Sequence, residues 1–198
     1  MRWMGEVWKM SGKAYFDEIA PNWQDMRTEF FSEAVREKAY AQAGLEPGMK
    51  VGDIGAGSGF ISEGLAGRSL QVVAVDPSKN MLEALRARLT QSRESHPLHL
   101  ETRVGEAESL PLETGEMDRI FANMMLHHVE NPPAAIREMT RVLKPGGRLV
   151  ITDLDRHSHD FLLREHHDRW PGFLREEMVG WFESAGLEHV SVTAAGED

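Results

Sequence analysis

Apolar residues recur along this chain in two alternating rhythms. Short runs rich in aliphatic and β-branched residues predict strands at "MKVGDI" (49–54), "LQVVAV" (70–75), "LHLETRV" (98–104), "MDRIFAN" (117–123), "GRLVITD" (147–153) and "LEHVSVT" (187–193). Between them the apolar positions take helical spacing: Ile61 and Leu65; Met81, Leu82, Leu85 and Leu89; Ile136, Met139 and Leu143. Upstream, "FFSEAVREKAYAQAGL" (30–45) predicts a helix stopped by Gly44 and Pro47. Strand alternating with helix predicts an α/β fold with a mostly parallel, doubly wound sheet and helices on both faces. Right-handed crossovers then open a ligand crevice at the carboxyl ends of the strands. No repeat or linker divides the chain, so one domain is expected, with residues 1–44 as a helical extension able to act as a lid and residues 45–198 as the core.

Composition removes several function classes. The chain has 198 residues, 41% hydrophobic and 27% charged, enough for a sizeable core. A formal net charge of −10 speaks against a broad phosphate-neutralising surface, so no nucleic acid is expected as a partner. No apolar run is long enough to span a bilayer and the opening segment lacks a signal-peptide core, which leads to the expectation of a cytoplasmic protein. The absence of cysteine excludes disulfides, thiolate metal sites and cysteine nucleophiles.

The stretch "VGDIGAGSGF" (51–60) marks the first crevice loop. Gly55, Gly57 and Gly59 fall where a strand turns into a helix, a place where missing side chains let backbone amides approach a nucleotide-like ligand. The dinucleotide pattern wants its third glycine where Phe60 stands. Asp53 also sets a carboxylate beside the turn, which repels a diphosphate and suits a cationic ligand. Asp76, about 20 residues on and closing the second strand, is either an acceptor for a ribose diol or a helix-start aspartate beside the better N-cap Ser78.

Together, the D-x-G-x-G-x-G pattern, "DPSKNML", "VGEAESLPL", "NMMLHHV" and "REMTRVLKPGGRLVITD" resemble the class I S-adenosylmethionine-dependent methyltransferases. The wording is most similar to the small-molecule methyltransferases related to quinone-biosynthesis enzymes. The resemblance is close over residues 45–155 and weaker over residues 15–40, and it implies a Rossmann-like fold. It further implies that Asp53, Gly55, Gly57 and Gly59 hold the methionine end of S-adenosylmethionine and that Asp76 binds the ribose hydroxyls. Met81 is implied to pack on adenine, Glu106 and Ala107 to meet its amino edge, and Asn123 to line the methyl-donor region. S-adenosylhomocysteine would be the product. Two departures stand out: Glu106 replaces the usual aspartate, and Gly52 occupies a strand position where the family carries a bulky apolar residue.

Methyl transfer of this kind is an in-line displacement, in which orientation supplies most of the acceleration. A hydroxyl or carbon acid acceptor gains from a base, and His127 and His128, which follow the fourth strand, are either that base or packing histidines. The segment "DLDRHSHDFLLREHHDRW" carries His157, His159, His166, His167 and several acids. Its local spacing does not converge as metal ligands must, so it reads as a solvated or acceptor-lining element and no metal is expected. Asp153, His157 and His159, with Tyr15, Phe16 and Trp23 of the aromatic segment "AYFDEIAPNW", are the candidate acceptor-pocket residues. The family ends in an antiparallel hairpin for which "WFESAGLEHVSVTAAGED" leaves no room, so the last strand is expected to be missing and the open edge to be available for a homodimer. A shortened chain gives the same pattern. Two other functions stay open on these residues: an idle cofactor-binding or regulatory protein, and an NAD-dependent oxidoreductase.

Overall fold

Five extended runs, Lys50–Ile54 (β1), Gln71–Asp76 (β2), His99–Val104 (β3), Met117–Asn123 (β4) and Leu143–Thr152 (β5), pair in parallel in the order β3-β2-β1-β4-β5. The helices are Gly12–Ile19 (α1), Glu33–Ala43 (α2), Phe60–Gly64 (α3), Lys79–Gln91 (α4), Pro132–Val142 (α5) and Arg175–Ser184 (α6). The computed structural model describes residues 12–20, 23, 32–91, 99–159 and 168–195. The chain winds outward from β1 to β3 and returns to the other side of β1 with β4. The order of connection therefore reverses between β1 and β4, the place where such sheets open a crevice.

Strand residues alternate between the two faces, and the core divides by that parity. Val51, Val72 and Phe121 pack with Ala39, Tyr40 and Ala43 of α2 and Phe60 and Ile61 of α3. Ala74 joins Leu82, Leu85 and Leu89 of α4. On the other face, Ile54, Val73, Val75, Ile120 and Ala122 pack with Ala135, Ile136, Met139 and Val142 of α5, against which Met178, Trp181 and Phe182 of α6 also lie. Met139 and Ile136 are fully buried, and each such side chain contributes about 1.5–3 kcal/mol by leaving water. Asn131 caps α5 by accepting from the Ala134 amide at 3.1 Å, with Pro132 and Pro133 opening the helix. Gly44 ends α2 in the left-handed conformation at φ 61°, and its amide donates to the Tyr40 carbonyl.

The glycine inside β1 has a cross-sheet cause. A Cβ on Gly52 would meet Ile120, its register partner on β4, at 3.4 Å and Met117 at 3.6 Å, so those two side chains fill the space that a bulkier residue would take. Two expectations need correction. Leu143 continues the helical spacing of α5 in sequence but opens β5 instead. The run "LEHVSVT" forms no strand: His189 takes a left-handed φ of 57° in its middle, which breaks extended pairing. This tail lines a groove together with β5 and α2, with Lys38 reaching the Ala194 carbonyl, and β5 stays at the edge of the five-stranded sheet. No helix among the described residues is long and apolar enough to cross a membrane.

Candidate active site

The turn after β1 is fixed by the end of β2. The amides of Gly55 and Ala56 both donate to the Val75 carbonyl, at 2.8 and 3.1 Å. The three glycines are needed for different reasons. A Cβ on Gly55, at φ 67°, would stand 2.6 Å from Met125 Cβ, and one on Gly59, at φ 97°, would collide with Leu85. At Gly57, φ 51°, the only described neighbour of such a Cβ is Trp23 Nε1 at 3.7 Å. Gly55 and Gly59 therefore serve the protein's own packing, whereas among the described residues only Trp23 comes near a Cβ at Gly57. A Gly59→Ala protein is expected to lose about 1–3 kcal/mol by forcing Leu85 from its place, read as a lowered denaturant midpoint.

Two buried carboxylates frame this turn. Asp53 accepts from the Ser62 amide at 3.0 Å and the Ser62 hydroxyl at 2.6 Å, tying β1 to α3. Burial raises its pKa from an ordinary 3.8 to about 6, against the lowering effect of the Ser62 hydrogen bonds. Asp76 accepts from the amides of Gly57 and Ser78, each at 2.8 Å, and is 7% exposed. Burial lifts it likewise to about 6; its two amide donors oppose that rise, and the charges of Glu106 and Asp17 add to it. Ser78 is the N-cap of α4, accepting from the Met81 amide at 3.1 Å, while its hydroxyl donates to Asp17 of α1 at 2.6 Å. Ser78 is thus the cap, while Asp76 ties the glycine turn to the helix start through the Gly57 and Ser78 amides.

The other donor-site candidates fall around the same crevice. Met81 is fully buried, Ala107 is buried, and Glu106 is exposed and pairs with Ser109 in a short antiparallel bridge. Asn123 ends β4 and accepts from the Thr152 hydroxyl at 2.6 Å. The next residue, Met124, holds a left-handed φ of 50°, a strained conformation for a side chain of its size, set between the strand end and the histidine pair.

Those histidines occupy a 3-10 turn, Leu126–His128, at the mouth of β4. Asp153, just past β5, accepts from His127 Nδ1 at 2.7 Å and from the amides of Leu126 and Leu154, each at 2.8 Å. Because the carboxylate is the acceptor, Nδ1 carries the hydrogen and Nε2 is directed away. Nε2 faces Asp168 Oδ1 at 3.7 Å, and His128 Nδ1 faces that same oxygen at 3.7 Å. Burial alone would lower the His127 pKa, but the charge and hydrogen bond of Asp153, with Asp168 behind them, outweigh it and the net direction is upward. Asp168 is held there by its neighbours: the amides of Arg169 and Trp170 donate to the His127 carbonyl at 2.9 and 3.1 Å, and the Trp170 indole donates to the Val129 carbonyl at 2.9 Å.

Helix α1 covers this cluster. Phe16 meets the His128 ring edge-on at 5.0 Å and Trp23 at 5.5 Å, so the aromatic segment connects the histidines to Gly57. Burial and the charge of Asp168 push the Tyr15 phenol above its ordinary pKa. His157 and His159 stack on each other with ring centres 5.4 Å apart, on a stretch zipped to residues 171–173 through Arg156–Phe173 and His157–Pro171 backbone bonds. His166 and His167 lie outside the described residues. The fold therefore brings together Tyr15, Trp23, His127, His128 and Asp153, and adds Asp168. In sequence Asp168 is only one of several acids of its segment, and its proximity to a histidine pair some forty positions earlier has no local signal.

Residues 52–151 match the family described as Methyltransferase domain. The chain is 32% identical over 166 residues to the ubiquinone biosynthesis O-methyltransferase of Xanthomonas axonopodis pv. citri, covering 75% of this chain and 67% of that one. It is 28% identical over 190 residues to the enzyme of the same description from Dechloromonas aromatica, covering 87% and 81%. A crystal structure of an S-adenosylmethionine-dependent methyltransferase from Aquifex aeolicus shares the fold, with a TM-score of 0.66 and 24% identity over 90% of this chain and 89% of that one. On the matched domain and these relatives, the chain belongs to the class I S-adenosylmethionine-dependent methyltransferases, related to the enzymes of quinone biosynthesis.

Proposed function

We propose that this methyltransferase acts on a hydroxyl group of a small acceptor, bound beneath α1 against His127, His128, Asp153 and Asp168. The family chemistry is methyl transfer to a small molecule, for which S-adenosylmethionine when bound supplies an activated methyl group. The chain's residues suit that donor. Among the described residues only Trp23 comes near Gly57, and the Asp76 carboxylate stands next to it with lone pairs for a diol. In this reading Asp53, Gly55, Gly57 and Gly59 shape the seat for the methionine end. Asp76 takes the ribose, Met81, Glu106 and Ala107 take the adenine, and Asn123 borders the methyl.

The observation that carries the acceptor assignment is the buried His127–Asp153 pair at the ends of β4 and β5. A histidine whose Nδ1 is held by a carboxylate, with Nε2 turned toward Asp168, favours loss of a hydroxyl proton from an acceptor placed beside it as the oxygen attacks. An amine acceptor needs no such cluster once it is neutral. The O-methyltransferase relatives support the same atom. Tyr15, Phe16 and Trp23 would wall the pocket and exclude water, and His157 and His159 would border its outer side.

The test is incubation of the protein and S-adenosylmethionine with a panel of phenols, catechols and enols and with amines matched in shape. The expected result is a methyl ether, identified by mass and by the position of the methyl group. Methylation of amines or carbon alone would overturn the assignment.

A further inference from the structure

We infer that Asp17 of α1 is a positioning residue that couples the two halves of the site: through Ser78 it ties the helix covering the histidine cluster to the aspartate beside the glycine turn. Ser78 stands at the junction. Its amide donates to Asp76 Oδ1 at 2.8 Å, and its hydroxyl donates to Asp17 Oδ1 at 2.6 Å while accepting from the Met81 amide at 3.1 Å. With its other oxygen Asp76 accepts from the Gly57 amide at 2.8 Å. A continuous chain of hydrogen bonds thus runs from the glycine turn through Asp76 and Ser78 to α1. A second bond fixes the lie of that helix: the Asn80 side chain donates to the Asp17 carbonyl at 3.0 Å, supplying a partner to one of the carbonyls that a helix leaves unpaired at its end.

The position of Asp17 in α1 gives this bond its reach. Successive helical residues point about 100° apart, so Phe16 and Asp17 face different parts of the crevice. Phe16 meets the His128 ring at 5.0 Å and Tyr15 at 5.3 Å, on the acceptor side, whereas Asp17 meets the start of α4, on the donor side. Helix α1 has 8 residues, and helices shorter than about 12 residues are marginal in water without tertiary contacts. Its placement therefore depends on what it touches at these two sides. The start of α4 also carries the positive end of the helix dipole, which favours a carboxylate there over a neutral group.

The consequence rests on the reading of Asp76 as the ribose acceptor and of the space beneath α1 as the acceptor's seat. Trp23, on the segment that follows α1, is the described neighbour of a Cβ at Gly57, so a donor in that seat meets Trp23 only while α1 is in place. Donor binding then favours the docked placement of α1, and the docked placement favours the donor by the same factor. Donor binds first, and the wall formed by Tyr15 and Phe16 is set against the histidines before the acceptor enters. Asp17 takes no part in the transfer; it places the residues that surround it.

The test reads amide hydrogen exchange across residues 12–19 of the full chain, with and without saturating S-adenosylhomocysteine. In the wild type the ligand is expected to slow exchange there by about 5- to 150-fold, the usual range for coupling between two sites. In Asp17→Ala the slowing should vanish, and S-adenosylhomocysteine affinity, read by calorimetry, should fall by no more than the factor seen in wild-type exchange. Asp17→Asn keeps an oxygen for the Ser78 hydroxyl and should retain most of the slowing, which a general disturbance of the helix would not allow. Equal slowing in Asp17→Ala, or none in a wild type that binds S-adenosylhomocysteine, would overturn the coupling. So would a loss in Asp17→Asn as complete as in Asp17→Ala, since the bond to Ser78 would then not carry it. Methyl ethers formed by a wild type whose α1 shows no slowing overturn the coupling alone, while slowing that depends on Asp17 with methylation only of amines overturns the hydroxyl reading alone.

Discussion

The Gly57→Val protein is expected to fold and to lose S-adenosylmethionine binding by at least about 100-fold in affinity, read by calorimetric titration. The physical case rests on the difference between this glycine and its neighbours. At Gly55 and Gly59 an added side chain meets Met125 or Leu85, so substitution there damages the fold and says little about a ligand. At Gly57 it enters the crevice, where Trp23 is the described neighbour. A β-branched residue at φ 51° costs about 1–3 kcal/mol of backbone strain, which a domain with about 5–15 kcal/mol of stability survives. Unchanged affinity in a folded Gly57→Val protein would remove the glycine turn from the donor site.

Asp76→Ala should weaken the same binding by about 1.5–3 kcal/mol, the range for hydrogen bonds to a charged group. The pH dependence has a definite sign. With the Asp76 carboxyl raised to about 6, donor affinity should decline below about pH 6 as the carboxylate takes up a proton and loses acceptor capacity. Stability should move the other way. Asp53 and Asp76 are both raised from 3.8, so the folded state holds more protons than the unfolded one between these values. Their contribution is full below about pH 4 and is lost as pH rises to about 6. An affinity that is flat from pH 7 to 5 would show that the carboxylate's charge is not used.

Much of the architecture was legible because its causes are local. The strand runs fix parity, and parity alone sorts Val51, Val72 and Phe121 from Ile54, Val73 and Ile120 onto opposite helical layers. Gly44 and Ser78 mark helix ends through dihedral and hydrogen-bonding demands that travel with the residue type. What escaped depends on neighbours remote in the chain. The excess glycine of β1 answers to Ile120 and Met117, and Gly59 to Leu85. The strand expected at "LEHVSVT" fails at one backbone angle, that of His189, which its apolar alternation does not encode. In the candidate site, the glycine turn and Asp76 form one local unit and were found together, whereas Asp168 reaches the histidines only because two amides clip its segment to the His127 carbonyl. A resemblance centred on the donor motifs carried no information about that clip.

Asp153→Asn should reduce turnover of a hydroxyl acceptor by about 100- to 10,000-fold while leaving donor affinity within about twofold. The substitution keeps the volume of the side chain, which accepts the amides of Leu126 and Leu154 and meets His127 Nδ1 at 2.7 Å. An amide in its place offers one oxygen where the carboxylate offers two, and its NH2 group turned to Nδ1 would move the imidazole hydrogen to Nε2. His127 would then present a hydrogen to the acceptor pocket in place of a lone pair, and could not receive a proton there. The proposed donor seat at the ends of β1 and β2 shares no hydrogen bond with this pair among the described residues, so the effect is expected in kcat and not in S-adenosylmethionine binding. The Trp23→Ala protein separates lid from cluster: it lowers turnover through water entry and also loosens the neighbourhood of Gly57, so both readouts should move. If Asp153→Asn instead lowered donor affinity and turnover together, its role would be to hold the β4 and β5 ends in place, and the His127 pair would lose its part in the reaction.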